Sequence, residues 1–113
     1  MIALPDVLVP VALVSPYSGD IERNTRYARA CMRDCLSRGE APFPSHMLYP
    51  QVLEDARAEE RALGMLAGRA WWSRASLAAC YTDLGLSPGM VADLEWCAAN
   101  DIVVERRTIG GWS

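Results

Sequence analysis

Four short apolar runs alternate with three longer stretches of helical periodicity, and that alternation leaves few folds open. Residues 11–15 form a continuous apolar run between Pro10 and the turn-forming Pro16-Tyr-Ser-Gly-Asp20. Such a run suits a strand buried on both faces. Over residues 21–38, Tyr27, Ala28, Cys31, Met32, Cys35 and Leu36 recur on one helical stripe with the arginines largely outside it, and Gly39 is placed to stop that helix. Ala41-Pro-Phe-Pro44 allows only a short strand at a sheet edge, because two prolines remove ladder donors. Residues 45–51 read as a loop, 54–73 as a helix rich in Ala, Glu, Arg and Leu, and 76–82 as a central strand. A loop at 83–86 leads to Ser87-Pro88, a serine N-cap with proline in the first helical position. Met90, Val91, Leu94, Cys97 and Ala98 are expected on the buried face of that helix. The last strand is expected at 102–105, with an extension toward Ile109, and residues 110–113 form a tail.

A β-α-β-α-β-α-β order implies α/β architecture with a parallel sheet, helices on both faces and right-handed crossovers. The expectation is a single domain over residues 1–113, with its core at about 9–109. It is a flavodoxin-like (Rossmann-like) three-layer sandwich with a four- or five-stranded parallel sheet, most simply in the order 2-1-3-4. Ligands of such sheets bind beyond the carboxyl ends of the strands where the strand order reverses. In this chain that point lies between the first and third strands, at the loops 16–20 and 83–87.

Composition narrows the chemistry. The chain has 113 residues, 51% of them hydrophobic, and a formal net charge of −3. That balance argues against a nucleic-acid polymer as ligand, which needs a basic face. All eleven cations are arginine, so a lysine Schiff base and a P-loop lysine are excluded, whereas bidentate arginine contacts to a small anion are not. Cys31, Cys35, Cys80 and Cys97 form no C-x-x-C pair, and the single His46 is remote from them in sequence. Buried thiols in a reducing cytoplasm are expected, with no metal and no cofactor. The N-terminal MIALPDVLVPVALVSPYSG lacks a basic start and is interrupted by Pro5, Asp6 and Pro10. It reads as neither a signal peptide nor a membrane span, which needs about 20 apolar residues.

The two carboxyl-end loops carry Tyr17, Ser18, Gly19 and Asp20, then Asp83, Ser87 and Gly89. On the last helix Asp93 lies roughly one-sixth of a turn from Met90 at about 100° per residue, beside the expected crevice, while Glu95 falls on the opposite border. A carboxylate at the Asp93 position can act as nucleophile or general base, or simply favour the helix dipole. Ser87 and the amides after it can bind an anion or serve as a plain cap. Asp83 fits a turn, His46 a structural role, and Trp71 and Trp72 a core, an interface or a stacking platform.

Four blocks occur in order: Ser15-Pro-Tyr-Ser-Gly19, Pro44-Ser-His-Met-Leu-Tyr-Pro-Gln51, Glu60-Arg-Ala-Leu-Gly64 and Ser87-Pro-Gly-Met-Val-Ala-Asp-Leu-Glu95. Together they resemble small, often phage- or prophage-borne proteins similar to nucleoside 2-deoxyribosyltransferases, over residues 9–109. The resemblance implies a site for a nucleoside or nucleotide and a carboxylate that attacks C1′ of the sugar, the retaining logic of glycoside cleavage. Carried over by position, it implies Asp93 as nucleophile, Tyr17 as its orienting hydroxyl and Asp83 as an acid near the sugar or base. Ser15, Ser18, Gly19, His46, Ser87, Gly89 and Met90 would be ligand contacts, with Ser87 receiving a 5′-phosphate. The enzymes carry glutamate where this chain has Asp93, one methylene shorter. A homodimer is also implied, with the Trp71/Trp72 face or the Trp112 tail contributing. Two functions follow as alternatives: an N-glycosidic bond hydrolase or deoxyribosyltransferase, or a catalytically weak protein that retains its nucleotide. A third, an interaction module, reuses the fold alone.

Overall fold

The computed structural model describes residue 4 and residues 6–112. Its elements are β1 (Val9–Val14), α1 (Ile21–Ser37), β2 (Glu40–Phe43), α2 (Ala58–Trp72), β3 (Leu77–Tyr81), α3 (Pro88–Ala99) and β4 (Val104–Arg107). The four strands form one sheet in the order β2-β1-β3-β4, all pairs parallel. This is the α/β three-layer arrangement expected from the alternation. Reversing direction between β1 and β3 sends right-handed crossovers to opposite faces. One face packs Val11, Leu13, Ala79 and Tyr81 on Tyr27, Cys31 and Cys35 of α1. The other packs Ala12, Val14, Ala78 and Cys80 on Trp72 of α2 and on Met90 and Cys97 of α3. All four cysteines are buried and unpaired. No helix among the described residues is long and apolar enough to cross a membrane.

Several boundaries differ from the sequence reading, each for a local reason. β1 begins at Val9 and runs through Pro10. The Pro10 carbonyl accepts from the Ser76 amide at 2.9 Å, so its missing N–H would face the β3 side, where pairing starts only at Val11↔Leu77. The 45–51 segment is two 3-10 turns, Ser45–Met47 and Tyr49–Gln51, rather than plain loop. α2 starts at Ala58 instead of residue 54, because the Glu60 carboxylate accepts from the Glu54 amide at 2.9 Å and closes a turn there. β4 sits two residues later than expected. On α3 the buried stripe is narrower than expected: Met90 and Cys97 are buried, but Val91 and Ala98 are exposed.

The expected tail is part of the fold. Trp112 meets Tyr27 edge to face at 5.2 Å between ring centroids, while Ser113 lies outside the described residues. A second feature of the α1 face is a buried ion pair. The Arg107 guanidinium donates to both Glu40 carboxylate oxygens at 2.7 Å and to the Tyr81 hydroxyl at 3.2 Å. Tyr81 in turn donates to Asp34 at 2.7 Å. Glu40 opens one edge strand and Arg107 closes the other.

Candidate functional site

The β1–α1 connection is shaped by α1 itself. Asp20 caps α1 by accepting from the Arg23 amide at 3.1 Å. One turn in, the buried Asn24 side chain donates to the carbonyls of Tyr17 and Ser18 at 2.9 and 3.0 Å. A trans peptide points its N–H opposite to its carbonyl, so this clamp turns the amides of Ser18 and Gly19 away from Asn24. Gly19 has φ +96°, a conformation that favours glycine.

Opposite this loop, the chain after β2 carries His46 on its first 3-10 turn. The Ser15 hydroxyl and His46 Nε2 are 2.8 Å apart, and the Tyr17 ring stands edge-on to the imidazole at 6.2 Å. Burial pulls the His46 pKa down to about 4, so the ring is neutral at physiological pH. α2 presses against this turn so closely that a Cβ on Gly68 would clash with the Ser45 side chain. From the third strand, Ser87 caps α3 by accepting from the Met90 amide at 3.2 Å, which leaves its hydroxyl proton free to donate elsewhere.

These elements enclose a cavity of about 390 Å³ at the carboxyl ends of β1 and β2 and the N-terminus of α3, within the size range of small-molecule sites. Nine of the ten expected site residues line it: Ser15, Tyr17, Ser18, Gly19, His46, Ser87, Gly89, Met90 and Asp93. Asp83 does not line it, which corrects the expectation of a sugar or base contact. Its carboxylate accepts from the Tyr27 hydroxyl at 2.6 Å, from the Ile109 amide at 3.0 Å and from the Gly110 amide at 2.8 Å. Burial works against that charge, but these donors outweigh it and hold the carboxyl below the usual range. Asp83 therefore anchors the segment after β4.

Asp93 is the carboxylate whose proton affinity is raised here. Its side chain is 25% exposed. Burial pushes its pKa up to about 6, against the opposing pull of Arg69, whose Nη2 lies 3.6 Å from the carboxylate. Arg69 also lies over the Trp96 ring at 5.8 Å, and its Nε is buried without a hydrogen-bond partner. Sequence reasoning missed Arg69. Arg61, Met65, Arg69 and Trp72 all line the cavity at i, i+4, i+8 and i+11, a single helical stripe that the sequence already displays. Among the described residues no group of three or more His, Cys, Asp or Glu side chains is arranged to hold a metal ion.

Against known families, the profile of a domain of unknown function, DUF7768, matches residues 9–107, from the first residue of β1 to the last of β4. The chain belongs to the DUF7768 family. No curated protein and no solved structure matches it. The DUF7768 match covers every strand and helix that builds the cavity. It assigns no activity, and function here rests on the site.

Proposed function

We propose that the cavity binds a nucleoside or nucleotide and that Asp93 cleaves its N-glycosidic bond. The observation that carries this reading is the convergence of Asp93, Tyr17 and Ser87 on one cavity at the strand-order reversal. In the first step the Asp93 carboxylate attacks C1′, the C1′–N bond breaks and the base departs, taking a proton from solvent or a neighbouring group. The second step transfers the sugar from the aspartyl ester to water or to another base and regenerates the carboxylate. Tyr17 orients the carboxylate or the sugar. The Ser87 hydroxyl and the first turn of α3 receive the 5′ end, where the helix dipole favours an oxygen-rich or anionic group. Trp72, Met65 and Met90 supply an apolar wall for the base.

One observation favours the alternative, retention without cleavage: Arg69 engages the carboxylate, and an aspartate reaches one methylene less far than the glutamate of the enzymes it resembles. A single experiment separates the readings. The protein is incubated with nucleosides and 5′-nucleotides, and free base is followed by chromatography. Base release that disappears in Asp93→Ala supports cleavage. Tight binding of intact nucleotide without base release supports retention, and no binding of either class sinks both.

A further inference from the structure

Two largely buried arginines meet carboxylates in different ways. Arg107 grips Glu40 through two N–H···O contacts of 2.7 Å, the forked geometry of a structural ion pair. Arg69 forms no such fork with Asp93. Its Nη2 stands 3.6 Å from one carboxylate oxygen, long for a hydrogen bond, and its Nε is buried without a partner. The Trp96 ring, 5.8 Å from the guanidinium carbon, helps to hold the group in place. Arg69 lines the cavity together with Asp93. A guanidinium fixed in this way, with donors to spare and a cavity in front of it, calls for an acceptor on the ligand.

Which acceptor it meets follows from the stereochemistry of the bond to be cleaved. A carboxylate nucleophile reaches C1′ from the face opposite the departing base. In a β-nucleoside that is the face from which a ribose projects its 2′-hydroxyl, on the carbon next to C1′. A 2′-deoxyribose carries only hydrogen there. We propose that Arg69 reads this hydroxyl, so that the cavity takes ribonucleosides or ribonucleotides in preference to their 2′-deoxy forms. With C1′ set at the Asp93 carboxylate, the reading on which this assignment rests, one hydroxyl oxygen fits about 2.8 Å from both groups across their 3.6 Å gap. It accepts from Arg69 and donates to the Asp93 oxygen that does not attack. A 2′-deoxy ligand covers both charges and offers them nothing in exchange for water. The preferred sugar is therefore not the deoxyribose from which the resembling enzymes take their name. Arg69 contacts the sugar and not the base, so the preference holds whichever base the apolar wall accepts.

The test titrates the full chain by calorimetry with the adenine, guanine, cytosine and uracil ribonucleoside 5′-monophosphates and with their 2′-deoxy counterparts. Free base is followed by chromatography in the same samples. For each base that binds, the ribose form is expected to be favoured by at least about tenfold, in Kd or, where base is released, in kcat/KM. The arabinose epimers turn the 2′-hydroxyl to the face of the base and should bind no better than the deoxy forms. Arg69→Met keeps an unbranched side chain beside Trp96 but removes the donors, and should bring the ribose-to-deoxyribose ratio to within about threefold of one. Each ratio compares two ligands on one protein, so an effect of the substitution on folding or on the charge of Asp93 cancels. The ribose, deoxyribose and arabinose series on the unaltered protein decides the matter even if the variant does not fold. Equal affinities for the two sugars, a preference for deoxyribose, or a preference for ribose that arabinose shares overturns the proposal while the nucleoside reading stands. A ribose preference that survives Arg69→Met assigns it to another residue and overturns the role of Arg69. Binding of neither sugar series sinks the nucleoside reading and this assignment with it.

Discussion

Replacing Asp93 with asparagine should stabilise the protein at neutral pH while abolishing any chemistry that needs the carboxylate. The magnitude follows from the site. Burial raises the carboxyl from its ordinary 3.8 to about 6 in the folded chain. A folded pKa above the unfolded one means that the native state holds the proton more tightly. Stability from this group is therefore greatest in acid and falls as pH rises between 4 and 6. A shift of about two units corresponds to about 3 kcal/mol of destabilisation at pH 7 and above. The asparagine side chain carries no charge at any of these pH values and escapes that penalty. In a domain of this size the gain corresponds to roughly 10 °C in Tm. Thermal unfolding of both proteins from pH 4 to pH 8 tests it: the Tm difference should be near zero at pH 4, grow through pH 6 and level off above 7. A difference that does not change with pH, or an asparagine variant less stable at pH 8, would refute the reasoning. If Asp93 is the nucleophile, kcat/KM of the unaltered protein should rise about tenfold per pH unit below pH 6 and flatten above it.

Three further substitutions test the frame around the site. Gly68→Ala drives a methyl group into Ser45 and should cost about 1–3 kcal/mol of stability, read by urea denaturation, with Gly68→Ala/Ser45→Gly recovering most of it. Asp83→Ala leaves the Ile109 and Gly110 amides and the Tyr27 hydroxyl without their acceptor. It should lower stability by about 1–3 kcal/mol, yet leave nucleotide affinity, measured by calorimetry, unchanged within twofold. Glu40→Gln removes the buried charge partner of Arg107 and leaves it only the half-exposed Glu105 carboxylate, 2.8 Å from its Nε. It should cost up to about 3–5 kcal/mol. Arg107 and its hydrogen bonds hold the Glu40 carboxyl below its usual range, so this loss should shrink as pH falls below about 4, where the unfolded-state carboxyl is already protonated.

The sheet and most of the cavity are legible in the sequence because they rest on local patterns. Apolar runs bounded by proline and glycine mark the strands, and Ser87-Pro88 marks the start of α3. The prolines of β2 put it at an edge. The same kind of spacing places Asp93 beside Met90, and the fold then brings it to the cavity. Asp83 is misread because a carboxylate in a carboxyl-end loop looks the same whether it faces the crevice or the chain after β4. Only the return of Ile109 and Gly110, 26 and 27 residues later, decides which. Arg69 escapes notice because an arginine in a helix is usually solvated, and its partner comes from a different helix. The Arg107–Glu40 contact spans 67 residues, a separation over which no periodicity carries information. Val91 and Ala98 fall on the expected core face because the helical wheel does not show how wide a stripe the neighbouring elements cover.

That same contact has a consequence for how the molecule comes apart. In an open sheet the outer strands ordinarily fray first, each on its own, since each is held along one side only. Here the first residue of β2 and the last residue of β4 grip one another beneath α1, so neither outer strand can peel away without exposing the charge of the other. Local opening at the two margins is thereby linked into a single event. Amide exchange in β2 and β4 should proceed at one shared rate close to that of global unfolding, and the rates should part once Glu40→Gln releases the grip.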